Sequence, residues 1–93
     1  MSDIKFDKGT VVSTTAAMAV FDPATMATCL ERHIRGDWGD IYEDDRVTNE
    51  EGIRDGERIM SVYKFGAKEL WVITDAADEE GKRVTTLLLP EDY

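Results

Sequence analysis

The sequence predicts a small single α+β domain: an N-terminal strand, two to three helices, then a three-stranded antiparallel meander. Three observations predict it. Apolar residues recur at helical spacing from Met26 to Ile34. The last third alternates β-branched and aromatic runs with short turns. A chain of 93 residues has room for one core only. At 42% hydrophobic and 33% charged, it carries enough apolar surface to offset chain entropy and fold.

Each element has a local reason. Residues 1–8 are polar and are expected to be a loosely ordered N-terminus, leaving 9–93 as the domain. Gly9-Thr10-Val11-Val12-Ser13 is short and β-branched and reads as the first strand. Thr14 or Thr15 can cap a short helix over Ala16 to Phe21. Asp22-Pro23 is a helix start, a capping carboxylate followed by proline at the first helical position. That helix runs to about Arg35, with Met26, Cys29, Leu30, His33 and Ile34 as its buried stripe. Gly36 supplies the left-handed stop.

Glu43 to Asp55 is expected to be helical, with Val47 and Ile53 as weak anchors and Gly56 as terminator. Gly52 costs such a helix about 1 kcal/mol relative to Ala. Strands follow over Arg58 to Phe65, Glu69 to Thr74 and Arg83 to Leu89, the last stopped by Pro90. Val84 to Leu89 is nearly continuous apolar and β-branched sequence, which suits a central strand.

Composition narrows the functional classes. The single Cys29 leaves no intrachain disulfide and fits a reducing, cytoplasmic setting. No signal peptide and no membrane-length apolar run is visible. The net charge of −9 argues against direct nucleic-acid binding and favours capture of basic partners. It is also unevenly placed. Between Asp37 and Glu57 nine carboxylates face only two basic residues, Arg46 and Arg54, so this stretch holds seven of the nine net charges.

Several motifs together carry a resemblance. They are His33-x-x-Gly36-Asp37-Trp38-Gly39, Glu43-Asp44-Asp45-Arg46, Asn49-Glu50, Arg58-Ile59-x-Ser61-x-Tyr63, Leu70-Trp71-x-Ile73-Thr74 and Thr85-Thr86-x-Leu88-Leu89-Pro90-Glu91-Asp92-Tyr93. From Gly9 onward the chain resembles a family of small bacterial proteins carried on plasmids, phages and integrative elements. Some members bear labels as plasmid-related proteins or type I restriction subunits. The resemblance brings no activity; it implies a mobile-element accessory protein with host-defence genes as neighbours.

Four constellations invite chemistry. Cys29, His33 and Asp37 fall at i, i+4 and i+8, the order of a nucleophile, a base and an orienting acid. Physics opposes that triad, because Cys29 belongs to the apolar stripe and Gly36 ends the helix before Asp37. His33, Asp37 and Trp38 remain an alternative pocket, with Asp37 able to accept from the imidazole and raise its pKa. The carboxylates offer oxygen ligands, yet the order of a calcium loop is missing, and no metal or cofactor is expected. Ser61, Tyr63, Thr74 and Thr86 can line one sheet face and meet a small polar ligand, or simply pair across strands.

The same carboxylates also make a surface. Residues three and four apart on a helix lie about 5–6 Å apart, so a row of them can imitate phosphates. The reading is a non-enzymatic, stoichiometric acidic protein that binds a basic protein surface, foremost a nucleic-acid-binding groove of a restriction, CRISPR or regulatory protein. Its partner-binding residues are Asp37, Asp40, Glu43, Asp44, Asp45, Glu50 and Glu51, with Trp38 as an exposed anchor or folded back over the helix end. Alternatives are a small enzyme or ligand-binding protein centred on His33, Asp37 and Trp38, and an antitoxin-like regulator. Open meander edges also leave room for a homodimer.

Overall fold

The computed structural model describes residues 3–93. Its elements are β1 (Thr10–Ser13), α1 (Thr15–Val20), α2 (Pro23–Ile34), α3 (Glu43–Asp55), β2 (Ile59–Phe65), β3 (Lys68–Thr74) and β4 (Val84–Leu88), closed by a 3-10 turn at Pro90–Asp92. The class is α+β, as the sequence predicts, but the sheet differs from a bare meander. It is four-stranded and mixed, in the order β1-β4-β3-β2. β2, β3 and β4 pair antiparallel in turn, and β1 joins β4 in parallel. The apolar run of β4 thus has strands on both sides. The sequence marks β1 as a strand but carries no local signal for its partner, because parallel pairing is set by distant contacts.

The caps fall where side-chain chemistry places them. Thr14 accepts from the Ala17 N–H at 3.1 Å, and Asp22 accepts from the Thr25 N–H at 2.7 Å. Along the strands, alternate residues point to opposite faces. Ile59, Ser61, Tyr63, Leu70, Val72, Thr74, Thr85 and Leu87 form the inner face and are all buried. Ala17 of α1, Phe21 at its end, and Met26 and Cys29 of α2 pack onto it. Trp71 does not join this core. It is half-buried on the opposite face, its ring 5.6 Å from that of Tyr93.

The outer edge of β2 is closed by the chain itself. Val62 donates to the Trp38 carbonyl at 3.1 Å and accepts from the Asp40 N–H at 2.8 Å. One residue pair further, the Asn49 side chain accepts from the Met60 N–H at 2.9 Å and donates to its carbonyl at 2.7 Å. With β1 on the other side, both meander edges are occupied between these residues, and β1 becomes the outer strand of the sheet.

α3 is anchored differently from the sequence reading. Val47 is 48% exposed, whereas Asn49 and Gly52 are the buried positions and Ile53 is intermediate. Gly52 is a close-approach site: a Cβ there would stand 2.7 Å from the Arg58 carbonyl oxygen and 3.0 Å from that of Glu57. Gly39 is held at φ +71°, and a Cβ would stand 2.1 Å from the Val62 carbonyl oxygen.

Residues 1 and 2 lie outside the described residues, so the expected looseness of the N-terminus is not addressed there. Residues 3–8 form no helix or strand but touch the domain at defined points. The Lys5 N–H donates to the Ile34 carbonyl at 2.8 Å, and the Phe6 ring meets His33 edge-on at 5.2 Å.

Glycine-to-alanine exchange in a solvent-facing helix stabilises by about 1 kcal/mol. Gly52→Ala is expected to do the reverse, lowering stability by about 1–3 kcal/mol through overpacking against β2. Urea unfolding decides the sign; a stabilised variant would contradict the close approach.

Candidate functional site

The residues expected to form a pocket, His33, Asp37 and Trp38, separate into three environments. α2 carries His33 on its inward stripe, and the imidazole is fully buried. Its Nδ1 lies 2.5 Å from Ser61 Oγ on β2, and its Nε2 lies 2.9 Å from Thr74 Oγ1 on β3. Thr74 Oγ1 is in turn 2.7 Å from Thr85 Oγ1 on β4, and Thr85 donates to the Lys8 carbonyl at 2.6 Å.

The direction of every proton follows from the last bond. A carbonyl only accepts, so the Thr85 hydroxyl hydrogen is committed to Lys8. Thr74 must then donate to Thr85, which leaves the Thr74 oxygen to accept from Nε2–H of His33. Nδ1 of the neutral ring accepts from Ser61. The chain of donors closes without an unmatched group. Burial, reinforced by the positive charge of Arg83, pushes the His33 pKa down to about 3.

Asp37 does not meet His33. It sits at the surface and takes a two-pronged bond from Arg32, Nε to Oδ2 at 2.7 Å and Nη2 to Oδ1 at 3.1 Å. The Arg32 guanidinium beside it holds the Asp37 carboxyl below its ordinary value. The same guanidinium stacks 4.6 Å above the Tyr63 ring, whose hydroxyl donates to the Asp37 carbonyl at 2.7 Å. Asp37 therefore fixes the turn after α2 and orients no base.

Trp38 is 7% exposed, so the exposed-anchor reading gives way to an indole folded inside the α2–α3 connection. Its Nε1–H is buried and has no hydrogen-bond partner among the described residues. A buried donor left so costs about 1–3 kcal/mol.

Cys29 belongs to the core cluster, and burial raises its thiol pKa, which is the opposite of nucleophile activation. Ser61, Tyr63 and Thr74 do share one face, but Thr86 points to the other; Thr85 is the residue that completes the set. α2 covers that face, and the Ser61, Thr74 and Thr85 hydroxyls are engaged with His33 or with one another, while the Tyr63 hydroxyl is engaged with the Asp37 carbonyl. Among the described residues no three His, Cys, Asp or Glu side chains converge to hold a metal ion.

The acidic residues form a surface. Asp40, Glu43, Asp44, Asp45, Glu50 and Glu51 are all exposed. Arg46 divides them: it lies 3.4 Å from Glu43 and 3.4 Å from Glu50 along one side of α3. Asp40, Asp44, Asp45 and Glu51 make no ion pair among the described residues. Glu43, Asp44 and Asp45 also occupy the first turn of α3, where they complement the helix dipole. Asp44 and Glu51 are seven residues apart on one stripe, about 10 Å along the axis, with exposed Val47 between them.

The sequence reading missed the partners of His33, because Ser61, Thr74 and Thr85 lie 28 or more residues away. A polar residue at inward positions of three successive strands was the signal available.

The buried imidazole ties stability to pH. The unfolded ring binds a proton near 6.5 and the folded ring only near 3, so the unfolded chain holds more protons between those values. This contribution is full above pH 6.5 and is lost as pH falls, at up to about 1.4 kcal/mol per unit. Urea midpoints taken from pH 7 to 5 are expected to fall for the wild type and to flatten in His33→Gln. A flat wild-type profile would contradict a neutral, buried His33.

Comparison with known proteins finds no matching family model, no matching curated protein and no matching solved structure.

Proposed function

We propose that this protein is a non-enzymatic binding protein that presents the outer side of α3 to a basic protein surface. The observation that carries the reading is the set of exposed carboxylates without ion pairs, Asp40, Asp44, Asp45 and Glu51, gathered on one helix and its entry. Unpaired surface charges of one sign accelerate encounter with an oppositely charged partner and reject like-charged ones. Their spacing by helical turns offers a basic groove a row of negative charges comparable in kind to phosphates. The favoured partner is a nucleic-acid-binding protein of a host defence or regulatory system, in keeping with the resemblance to mobile-element proteins.

The enzyme reading has less to stand on. His33 is buried with both nitrogens engaged, and Asp37 and Trp38 are turned to other tasks. Glu43 and Glu50 are partly neutralised by Arg46 and contribute less to the outward field. Trp38 is removed from the contact surface, so Val47 and Tyr42, both exposed, are the apolar groups beside the carboxylates.

Asp44, Asp45 and Glu51 changed together to Lys are expected to leave the far-ultraviolet circular dichroism intact. Low-salt capture of basic, nucleic-acid-binding proteins from bacterial lysate is expected to drop at least tenfold, and wild-type capture should fade as salt rises. Equal capture by the folded triple variant would end the acidic-face reading.

A further inference from the structure

We propose that the cleft between the N-terminal segment, the turn after α2 and the inner side of α3 binds a small phosphate-bearing anion. Four cations line it, Lys5, Arg35, Arg46 and Arg54, against the single carboxylate Glu50. Such a concentration of positive charge runs against the net charge of −9 on the whole chain. It arises because α3 is two-sided. Asp44 and Glu51 share one stripe with exposed Val47, while Arg46 and Arg54 line the cleft with Lys5 and Arg35.

The second observation is independent of charge. Trp38 also lines this cleft, and its buried Nε1–H has no acceptor among the described residues. The six-membered edge next to that nitrogen, at Cζ2, faces Gly36, another residue of the cleft wall. An indole N–H can only donate, so the group that satisfies it must be an acceptor. Cationic rim and orphan donor therefore call for the same chemistry, an oxyanion.

A phosphate fits better than a carboxylate because its three terminal oxygens can take donors from several directions. Guanidinium groups match such oxygens with two parallel bonds, and an ammonium adds a mobile point charge. Surface carboxylates already pair with these cations, Glu31 with Arg35, Glu43 and Glu50 with Arg46, and Asp55 with Arg54, and Arg35 makes a further contact besides. Exposed pairs of this kind are weak, so an incoming dianion can compete for the guanidinium groups. Lys5 makes no ion pair among the described residues.

Nε1 itself is closed to solvent. The Lys5 stem lies along Gly36, with Cγ 3.5 Å and Cε 3.8 Å from where a Gly36 Cβ would stand, beside the Trp38 edge. A phosphate that draws the Lys5 ammonium outward would uncover the indole edge and give its N–H an acceptor. Ile53 adds an apolar wall, and the cleft of about 410 Å³ has room for an aryl group attached to the phosphate.

The test follows the Trp38 indole N–H resonance in nitrogen-15-labelled full-length protein, identified by its loss in Trp38→Phe. Inorganic phosphate and phenyl phosphate are titrated at fixed ionic strength, with sodium chloride as the control. A saturable downfield shift with either phosphate probe, absent with chloride, is expected. Lys5→Ala combined with Arg54→Ala should weaken it at least tenfold. Arg54→Gln alone, which alters only an exposed side chain, should weaken it by a smaller factor. A shift that is linear, equal with chloride, or unchanged in the substituted proteins would overturn the site.

Discussion

The imidazole of His33 is the interaction on which the rest of this small domain depends. One side chain from α2 joins β2 through Ser61, β3 through Thr74 and, one hydroxyl further, β4 through Thr85. The chain of bonds ends on the Lys8 carbonyl and so also fastens the segment that leads into β1. Apolar packing alone is tolerant of small shifts in register. A directional set of buried donors and acceptors is not, since each unmatched group costs about 1–3 kcal/mol. The arrangement closes only for a neutral ring protonated at Nε2.

With α2 fixed on the sheet, the turn that follows it has a determined path. Arg32 and Asp37 brace the turn at the surface, and Tyr63 holds the Asp37 carbonyl from below. The chain then runs beside β2, where Gly39 allows backbone contact and Asp40 and Trp38 take the polar groups of Val62. Asn49 completes the same edge from α3. An acidic helix with few apolar residues is thus held to the sheet by amide bonds and a close glycine contact. That manner of attachment frees almost its whole circumference for charge, acidic outward and basic toward the cleft.

Much of this fold was legible in the sequence, and the reasons are local. Asp22-Pro23 and the spacing of Met26, Cys29, His33 and Ile34 determine α2, and the apolar run after Arg83 marks an inner strand. What was not legible depends on contacts between distant residues. Nothing near Thr10 says that β1 will lie parallel to β4. Gly52 reads as a defect of α3 until the carbonyls of Glu57 and Arg58 are seen against it. Of the expected site, the exposed carboxylates are where helical spacing places them. The grouping of His33, Asp37 and Trp38 dissolves, because neighbours in sequence at a helix end point in different directions. The basic cleft has no local sequence signal, because Lys5 and Arg35 come from segments outside the acidic run that holds Arg46 and Arg54.

His33 is a neutral bridge between α2 and the sheet. Long-range proton–nitrogen correlation of its imidazole, recorded as pH is lowered from 7, tests this directly. One neutral tautomer with the proton on Nε2 is expected, persisting below 6.5 toward a midpoint of about 3. Protonation near the ordinary value of 6.5, or a proton on Nδ1 at neutral pH, would contradict it.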